Sequence, residues 1–369
     1  MGVANKVLVG FVTDGCTGGV DKYIMGFYNL LKDSIHFDFL TNCKDSHLEM
    51  QLAKDKARLI EVSSLKHPKD QEKQVEQILR DGGYEAFYLN TSTALSYVAM
   101  KAAYHAKIPV RICHSHSSGA DAGSLLYRSL IRLLHYKDRA FMVKYANRIC
   151  ACSQTAAKWM YGREAEKYIQ INNAFDVAKY TFDREKRHRV RSAMNIKNNT
   201  VIGFVGSFCY PKNILGALDI FAEVQKLLPE AVFMVVGDGA MADSAKEKAR
   251  MLGIFESVMF LGRRDDIPDL LQAMDALIAP SIFEGLSFAC LEAQAAGLPC
   301  FFSTNMTRET GVTPCSAFIE LSKPPAYWAE CIVEGLKWER INTYTYFKEK
   351  GYVLSENRKI YFDLFEKGD

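Results

Sequence analysis

The chain reads as an α/β protein made of two doubly wound parallel sheets, each the core of its own domain, with ligands expected in a cleft between them. Three observations predict this. Short apolar strands alternate with amphipathic stretches along almost the whole chain, the pattern of a parallel sheet covered on both faces. A strand running into a glycine turn and then a helix occurs twice, at KVLVGFVTDGCTGG and again at VIGFVG from Val201 to Gly206. The length, 369 residues, exceeds what one ordinary core holds, so two domains of roughly 150 to 200 residues are expected.

Taken in order, residues 6–13 give the first strand, and VDKYIMGFYNLLKD after the glycine turn carries apolar residues at helical spacing. Further strands are expected at 36–41, 58–62, 85–90, 108–113, 148–152 and 167–171, with helices between them. The charged stretch DREKRHRVRSAMNIKNNT then interrupts the apolar pattern. Strands are next expected at 201–206, 231–236, 257–261, 275–279 and 299–303, and helices at 213–228, 241–252, 266–274, 287–296 and 325–338. The domains are placed at 1–178 and 179–340, with a terminal helical segment, 341–369, packing back on the first.

Composition narrows the function classes. Hydrophobic residues at 49% and charged residues at 24% are globular values that exclude a disordered or wholly membrane-embedded chain. The net charge of +3 is far from that of a nucleic-acid binder, and no nucleic-acid partner is expected. No apolar run approaches the ~20 residues of a membrane span, and MGVANK leads straight into a strand without the long apolar core of a signal peptide. The ten cysteines are scattered in or beside apolar runs like small buried hydrophobes, which fits a reducing cytoplasm. Cys150 and Cys152 form the only close pair, and no second ligand pair stands near them to complete a zinc site. Residues 124–148 interleave Leu125, Leu126, Leu130, Leu133 and Leu134 with Arg128, Arg132, Lys137, Arg139, Lys144 and Arg148. That is either an ordinary helix with a solvated basic face or a peripheral contact with an anionic membrane.

The chemistry concentrates in SIFEGLSFACLEAQAAGLPC, residues 281–300. Pro280 and Gly285 punctuate a turn, Ser287 is the expected N-cap of a short helix, and Gly297 with Pro299 ends it. Backbone N–H groups at such a helix start, backed by the helix dipole, attract a phosphate without any side chain. Glu284 sits in the turn and Glu292 inside the helix, where Phe288, Ala289, Leu291, Ala293, Ala295 and Ala296 imply burial and hence a hydrogen-bond donor for the carboxylate. Gly206-Ser207 follows a strand, and Lys212 opens the next helix as a cation at a second phosphate-facing turn, unless it is a solvated helix residue. Gly18 and Gly19 hold the same place in the first domain, either to admit a ligand close to the backbone or as a plain tight turn. His114 and His116 end the strand at 108–113. An i, i+2 pair could be half of a metal site, but no acidic or cysteine cluster completes it, so a hydrogen-bonding role is expected.

Together these segments resemble retaining nucleotide-sugar glycosyltransferases of the two-Rossmann GT-B type, in the branch that builds bacterial capsular and extracellular polysaccharides. VIGFVGSFCYPKN, FMVVGDG and VMFLGRRDDIPDLLQAMDALIAPSIFEGLSFACLEAQAAGLPC carry the resemblance in the second domain, and the glycine loop at 14–20, RICHSHSS, ICACSQTAAKWMYG and INNAFDVAKY in the first. The resemblance implies an acceptor-side first domain and a nucleotide-sugar-binding second domain. It implies that Glu292 holds the donor ribose, that Glu284 lies near the transferred sugar, and that the N–H groups of Gly285, Leu286 and Ser287 lie near the diphosphate. Lys212 would neutralise charge on the leaving nucleoside diphosphate. His116, with His114 as its rival, would contact the donor sugar or its phosphate, and Gly262 and Arg263 would hold the base. One departure stands out: where the family usually has an arginine after the glycine at 206, this chain has Ser207, so either Arg263 or Arg264 compensates, or donor binding weakens, or the protein is a non-catalytic partner. The implied activity moves a sugar from a nucleotide donor, expected to be a UDP-sugar, to a lipid-linked or oligosaccharide acceptor, with no metal and no cofactor, in the cytoplasm or at the inner face of the plasma membrane. A sugar-nucleotide epimerase of the same fold is the competing enzyme.

Overall fold

The computed structural model describes residues 2–15, 18–119 and 125–367. Part of the N-terminal glycine loop (16–17) and of the HSHSS segment's continuation (120–124) therefore lies outside the described residues, as do the side chains at 125 and 126. The chain forms two compact units, Met1–Phe175 joined by Gly351–Asp369, and Asp176–Lys350. The sequence had placed the divisions at 178 and 340. The difference arises because an element boundary is visible in apolar periodicity, whereas the return of the chain to the first unit at Gly351 depends on contacts distant in sequence.

In the first unit the order is β1 (Lys6–Gly10), α1 (Gly19–Leu31), β2 (His36–Thr41), α2 (Ser46–Ala53), β3 (Leu59–Glu61), α3 (Pro68–Asp81), β4 (Ala86–Thr91), α4 (Tyr97–His105), β5 (Val110–Ser115), α5 (Leu125–Tyr145), β6 (Arg148–Ala151), α6 (Gln154–Tyr161) and β7 (Ile169–Gln170). The strands form one parallel seven-stranded sheet in the order β3-β2-β1-β4-β5-β6-β7. The first strand is shorter than its apolar run suggests, ending at Gly10 instead of residue 13. Thr13, Asp14 and Gly15 instead turn back and donate backbone N–H bonds to the Asp21 carboxylate in the first turn of α1. Helix α1 buries Tyr23, Ile24, Phe27, Tyr28 and Leu31, a 3–4 spacing that lays one apolar stripe on the sheet. In α5 the inward face is fixed by His135: Ala94 N–H donates to Nδ1 at 3.0 Å, Nε2 donates to the Trp159 carbonyl at 2.9 Å, and the imidazole stacks on Trp159.

The second unit runs α7 (Arg184–Ala193), β8 (Val201–Val205), α8 (Ile214–Leu227), β9 (Val232–Val236), α9 (Ala242–Met251), β10 (Val258–Phe260), α10 (Ile267–Ala273), β11 (Ala276–Ala279), α11 (Phe288–Ala295), β12 (Cys300–Ser303), β13 (Ser316–Ile319), α12 (Pro325–Gly335) and α13 (Tyr344–Glu349). Its parallel six-stranded sheet is ordered β10-β9-β8-β11-β12-β13. Alternate residues feed opposite layers, as the strand period demands: Phe233 and Val235 join one core with Phe221, Trp328 and Ile332, while Met234 and Val236 join the other with Leu271, Met274 and Cys290. Strand β13 was not expected from sequence, because SAFI follows directly on a polar turn and is only half-buried. The charged stretch, read as a boundary, is largely helix α7: Arg187 and Arg191 point inward and donate to backbone carbonyls at the end of α10 and to Asp275.

The terminal segment is not one helix. Gly351 adopts φ +71 and separates α13 from a short 3₁₀ turn and α14 (Arg358–Leu364). Tyr361, Leu364 and Phe365 are buried, and the Arg148 guanidinium ties the end of the chain down through the carbonyls of Asp363, Leu364 and Glu366. Residues 351–369 are thus part of the first unit's own core.

Candidate active site

In each sheet the strand order reverses once, between β1 and β4 and between β8 and β11. Loops leaving the carboxyl ends of the two strands at such a reversal part in opposite directions and leave a crevice, the usual ligand position in an open parallel sheet. In the second unit these loops are 206–213 after β8 and 280–287 after β11. They are bonded to each other: Ile282 N–H donates to the Pro211 carbonyl at 2.7 Å, and the Asn213 side-chain amide donates to the Pro280 carbonyl at 3.0 Å. Asn213 also caps α8 from a left-handed conformation, accepting from Gly216 N–H.

This framework brings Lys212 and Glu284 into direct contact, Lys212 Nζ donating to Glu284 Oε1, while Ser281 Oγ donates to Oε2 at 3.3 Å. Both side chains are mostly buried, with 25% and 13% exposed. Burial alone would push the Lys212 ammonium down, but the Glu284 charge and hydrogen bond overrule it and hold the ammonium above its ordinary value. A protonated lysine is therefore kept at the crevice. The Lys212 stem lies over Gly206, within 3.7 Å of where a Cβ would stand.

The neighbouring loops lock this position. Gly237, after β9, has φ +136, and a Cβ there would stand 2.0 Å from the Gly206 carbonyl oxygen, so only glycine fits. Its N–H donates to the Gly262 carbonyl at 2.8 Å, which joins the third loop. Gly262 has open space around its Cα, and Arg263 is exposed. Arg264 is held in a two-point pair with Asp266. Ser207 is exposed.

On the other loop, Gly285, Leu286 and Ser287 are buried at the start of α11. Ser287 stands at the N-cap position but, against expectation, makes no side-chain cap. Glu292 is 1% exposed and accepts from Tyr180 Oη at 2.9 Å. Tyr180 in turn is held by Gln272, whose side-chain amide donates to the Tyr180 carbonyl. The burial expected of Glu292 is present, and its protein partner comes from the segment that enters the unit. Cys290 is no nucleophile, since burial, reinforced by Glu284, pushes its thiol up to about 12.

Gly18, Gly19 and His116 belong to the first unit. Gly18 is the N-cap of α1 with extended backbone, and nothing within 4 Å would meet a Cβ there. His114 is fully buried, with Nδ1 2.7 Å from Tyr88 Oη, which also bonds Tyr23 Oη at 2.7 Å. His116 is partly exposed, and Nε2 donates to Asn90 Oδ1 at 2.9 Å. Burial pushes it down to about 3, so its imidazole is neutral. Of the two, only His116 has access to solvent.

Tyr180, Gln272 and Ser281 went unnoticed in the sequence, and Asn213 was expected only to open a helix with Lys212. Asn213 had a signal, a helix-capping residue directly before an apolar run; Tyr180 and Gln272 had none, because their partners are about a hundred residues away.

A lysine–glutamate pair at the switch point of an open parallel sheet, with a buried carboxylate on the adjoining helix, stands where such sheets usually take their ligands. Residues 186–310 match the family model described as glycosyl transferases group 1. The chain is similar to a putative glycosyltransferase, EpsF, of Bacillus subtilis (28% identical, 85% of this chain, 84% of that protein). It is also similar to the UDP-Gal:alpha-D-GlcNAc-diphosphoundecaprenol alpha-1,3-galactosyltransferase of Escherichia coli (27% identical, 77% of this chain, 76% of that protein). Among solved structures, HepE of Anabaena in complex with UDP-glucose superposes with a TM-score of 0.74 at 19% identity, over 98% of this chain and 95% of that one. WaaG, a glycosyltransferase involved in lipopolysaccharide biosynthesis, gives a TM-score of 0.74 at 16% identity, over 98% and 100%. Residues 186–310 thus resemble the group 1 glycosyltransferases, and the chain as a whole has the two-sheet fold of the solved GT-B structures.

Proposed function

We propose that the protein is a retaining glycosyltransferase that moves a hexosyl or N-acetylhexosaminyl group from a UDP-sugar to a lipid-linked oligosaccharide or similar acceptor in bacterial surface polysaccharide synthesis. The observation that carries this reading is the Lys212–Glu284 pair at the switch point. A fixed ammonium there stabilises the negative charge that develops on a departing nucleoside diphosphate, an interaction stronger in the transition state than before it. Glu292 receives the ribose hydroxyls, Gly285, Leu286 and Ser287 approach the diphosphate, Gly206 and Ser207 close the phosphate turn, and Gly262 with Arg263 borders the base. In the first unit, Gly18 and Gly19 follow β1 and His116 follows β5, at the carboxyl ends of that unit's own sheet. The acceptor hydroxyl attacks from the face the leaving group departs, gives its proton to the departing phosphate oxygen, and no carboxylate nucleophile, metal or cofactor takes part. The named substrates of the E. coli relative, and the UDP-glucose in the HepE complex, support this choice of donor and acceptor.

A lipid-linked acceptor requires access to a membrane surface. Along α5, Tyr127, Leu130, Leu133 and Tyr136 are exposed, Leu133 to 67%, beside the exposed cations Arg132 and Lys137. Apolar side chains flanked by basic ones suit an anionic bilayer face, and we assign the helix to peripheral contact at the inner leaflet. No helix among the described residues is long and apolar enough to cross a membrane.

The test is a thermal-shift series with UDP, GDP, ADP and dTDP, followed by transfer from the stabilising donor to an undecaprenyl-diphosphate-linked sugar in the presence of EDTA, with the anomeric configuration of the product read by NMR. UDP should raise Tm by mass action, and the product should keep the donor's configuration. Absence of a shift with every diphosphate overturns the reading. Binding without transfer supports the non-catalytic partner, and interconversion of the donor without acceptor supports the epimerase.

A further inference from the structure

Helix α7 carries a second cationic feature that the donor site does not use. Arg184, Arg187, His188 and Arg191 recur at +3, +4 and +7 and so share one face, and with Lys197 they line an open recess of about 210 Å³. Its floor is already committed. Arg187 reaches the carbonyls of Gln272, Ala273 and Met274, Arg191 reaches those of Ala273, Lys197 and Asn199, and both share the single carboxylate of Asp275. Asp275 also accepts from Val201 N–H at 2.8 Å. Nearby, Arg340 donates to carbonyls at the end of the same α10 helix. Burial, with Arg187 adding repulsion, pushes it down to about 9.

The rim is different. Arg184, His188 and Lys197 are exposed, and their side chains form no hydrogen bond or ion pair among the described residues. Their placement also opposes the helix dipole. Cations stabilise helix C-termini, yet Arg184, Lys186 and Arg187 crowd the first turn of α7, next to the partial positive charge of the N-terminus. Asp183 caps the N–H groups of Glu185 and Lys186, Asp269 pairs with Lys186 at 3.5 Å, and Glu185, exposed in the first turn, offsets only part of the positive charge around it. An arrangement that costs stability in the isolated protein is relieved by a bound anion.

We propose that this recess binds a phosphate group, with Arg184, His188 and Lys197 as its ligands and Arg187 and Arg191 as a fixed positive floor. The phosphate is either that of a soluble diphosphate or that of an anionic phospholipid headgroup. The full-length protein and the variant R184A/H188A/K197A are compared in two arms: titration calorimetry with inorganic diphosphate, and co-sedimentation with vesicles of phosphatidylcholine alone or equimolar with phosphatidylglycerol. The variant should keep the wild-type circular dichroism and a cooperative melt, which show that it is folded, and the wild-type response to UDP, which shows that the donor site is separate. It should lose about tenfold or more in affinity for diphosphate, for the mixed vesicles, or for both, and the difference should shrink as salt is raised. Loss in the first arm alone identifies a soluble ligand, and loss in the second alone a headgroup. Equal binding by the two proteins in both arms overturns the proposal. Because the comparison is between two proteins with the same donor site, failure of the donor reading leaves this result unaffected.

Discussion

At the residue scale, the Lys212–Glu284 pair and Glu292 divide the work of the proposed site. Removing the ammonium by Lys212→Ala strips charge stabilisation from the leaving group and leaves Glu284 without its partner, so kcat should fall by about 10²–10³ with a much smaller change in donor KM. Steady-state kinetics with the preferred donor check this. Glu292 acts on binding instead. Glu292→Gln should raise donor KM and UDP Kd together, and Tyr180→Phe, which removes the hydroxyl bonded at 2.9 Å, should do so more weakly, by about tenfold or less. Both glutamates and the lysine were legible in the sequence, because a glycine turn before an apolar helix and a cation after a strand–glycine turn are local patterns. Tyr180 was not, since a tyrosine hydroxyl and a carboxylate 112 positions apart leave no trace of their meeting in either neighbourhood.

At the scale of elements, the turn after β8, which the proposed function gives to the diphosphate, poses the problem that Ser207 introduces. Arg264 is engaged by Asp266 in a two-point pair, so it is not a ready substitute for a missing arginine, and Arg263 is exposed. Ser207→Arg should therefore tighten UDP binding by up to about tenfold, the worth of one charged hydrogen bond at a partly exposed site. An unchanged Kd by calorimetry would mean that another cation already serves the diphosphate. The elements themselves were well read where one apolar period ran unbroken, as in α1, α8 and β9. They were misread where polar bonds set the boundary: Asp21 ends the first strand early by gathering the N–H groups of Thr13, Asp14 and Gly15, and α7 folds from a segment too charged to look helical because its arginines cap α10.

At the scale of the whole molecule, the first unit is completed only when the chain returns to it. Deleting 351–369 would leave Arg148 without the carbonyls of Asp363, Leu364 and Glu366 and remove buried Tyr361, Leu364 and Phe365. Loss of even one such aromatic costs about 3–5 kcal/mol, a large share of a domain's stability. The truncated protein should be insoluble or melt far below the full chain in calorimetry. The same unit should be acid-sensitive. Burial lowers His135 to about 4 and His116 to about 3, and His114 well below the ordinary 6.5. Each is neutral in the fold and takes a proton more readily once unfolded. Stability is therefore full above about pH 6.5 and declines as pH falls toward 4, by up to about 1.4 kcal/mol per pH unit for each histidine. Denaturant unfolding across this range, with His135→Gln flattening the slope, measures it.

By itself the sequence determined the alternation of strands and helices, the two-domain count and, as candidates, Lys212 and Glu284 in two strand-end turns and Glu292 in the helix after the second, because each is written in a period, a capping pattern or a spacing of a few residues. The tertiary structure decided which of those groups meet. Strand order places the loops after β8 and β11 side by side at the switch point, and only then does Lys212 find Glu284 and the stretch at 176–180 reach Glu292. It also decided that His114 is interior while His116 has access to solvent, and that the final nineteen residues, 351–369, close the first unit. Hydrogen bonds and burial between distant segments are fixed by sheet topology, and topology is a property of the folded chain that no local stretch of it encodes.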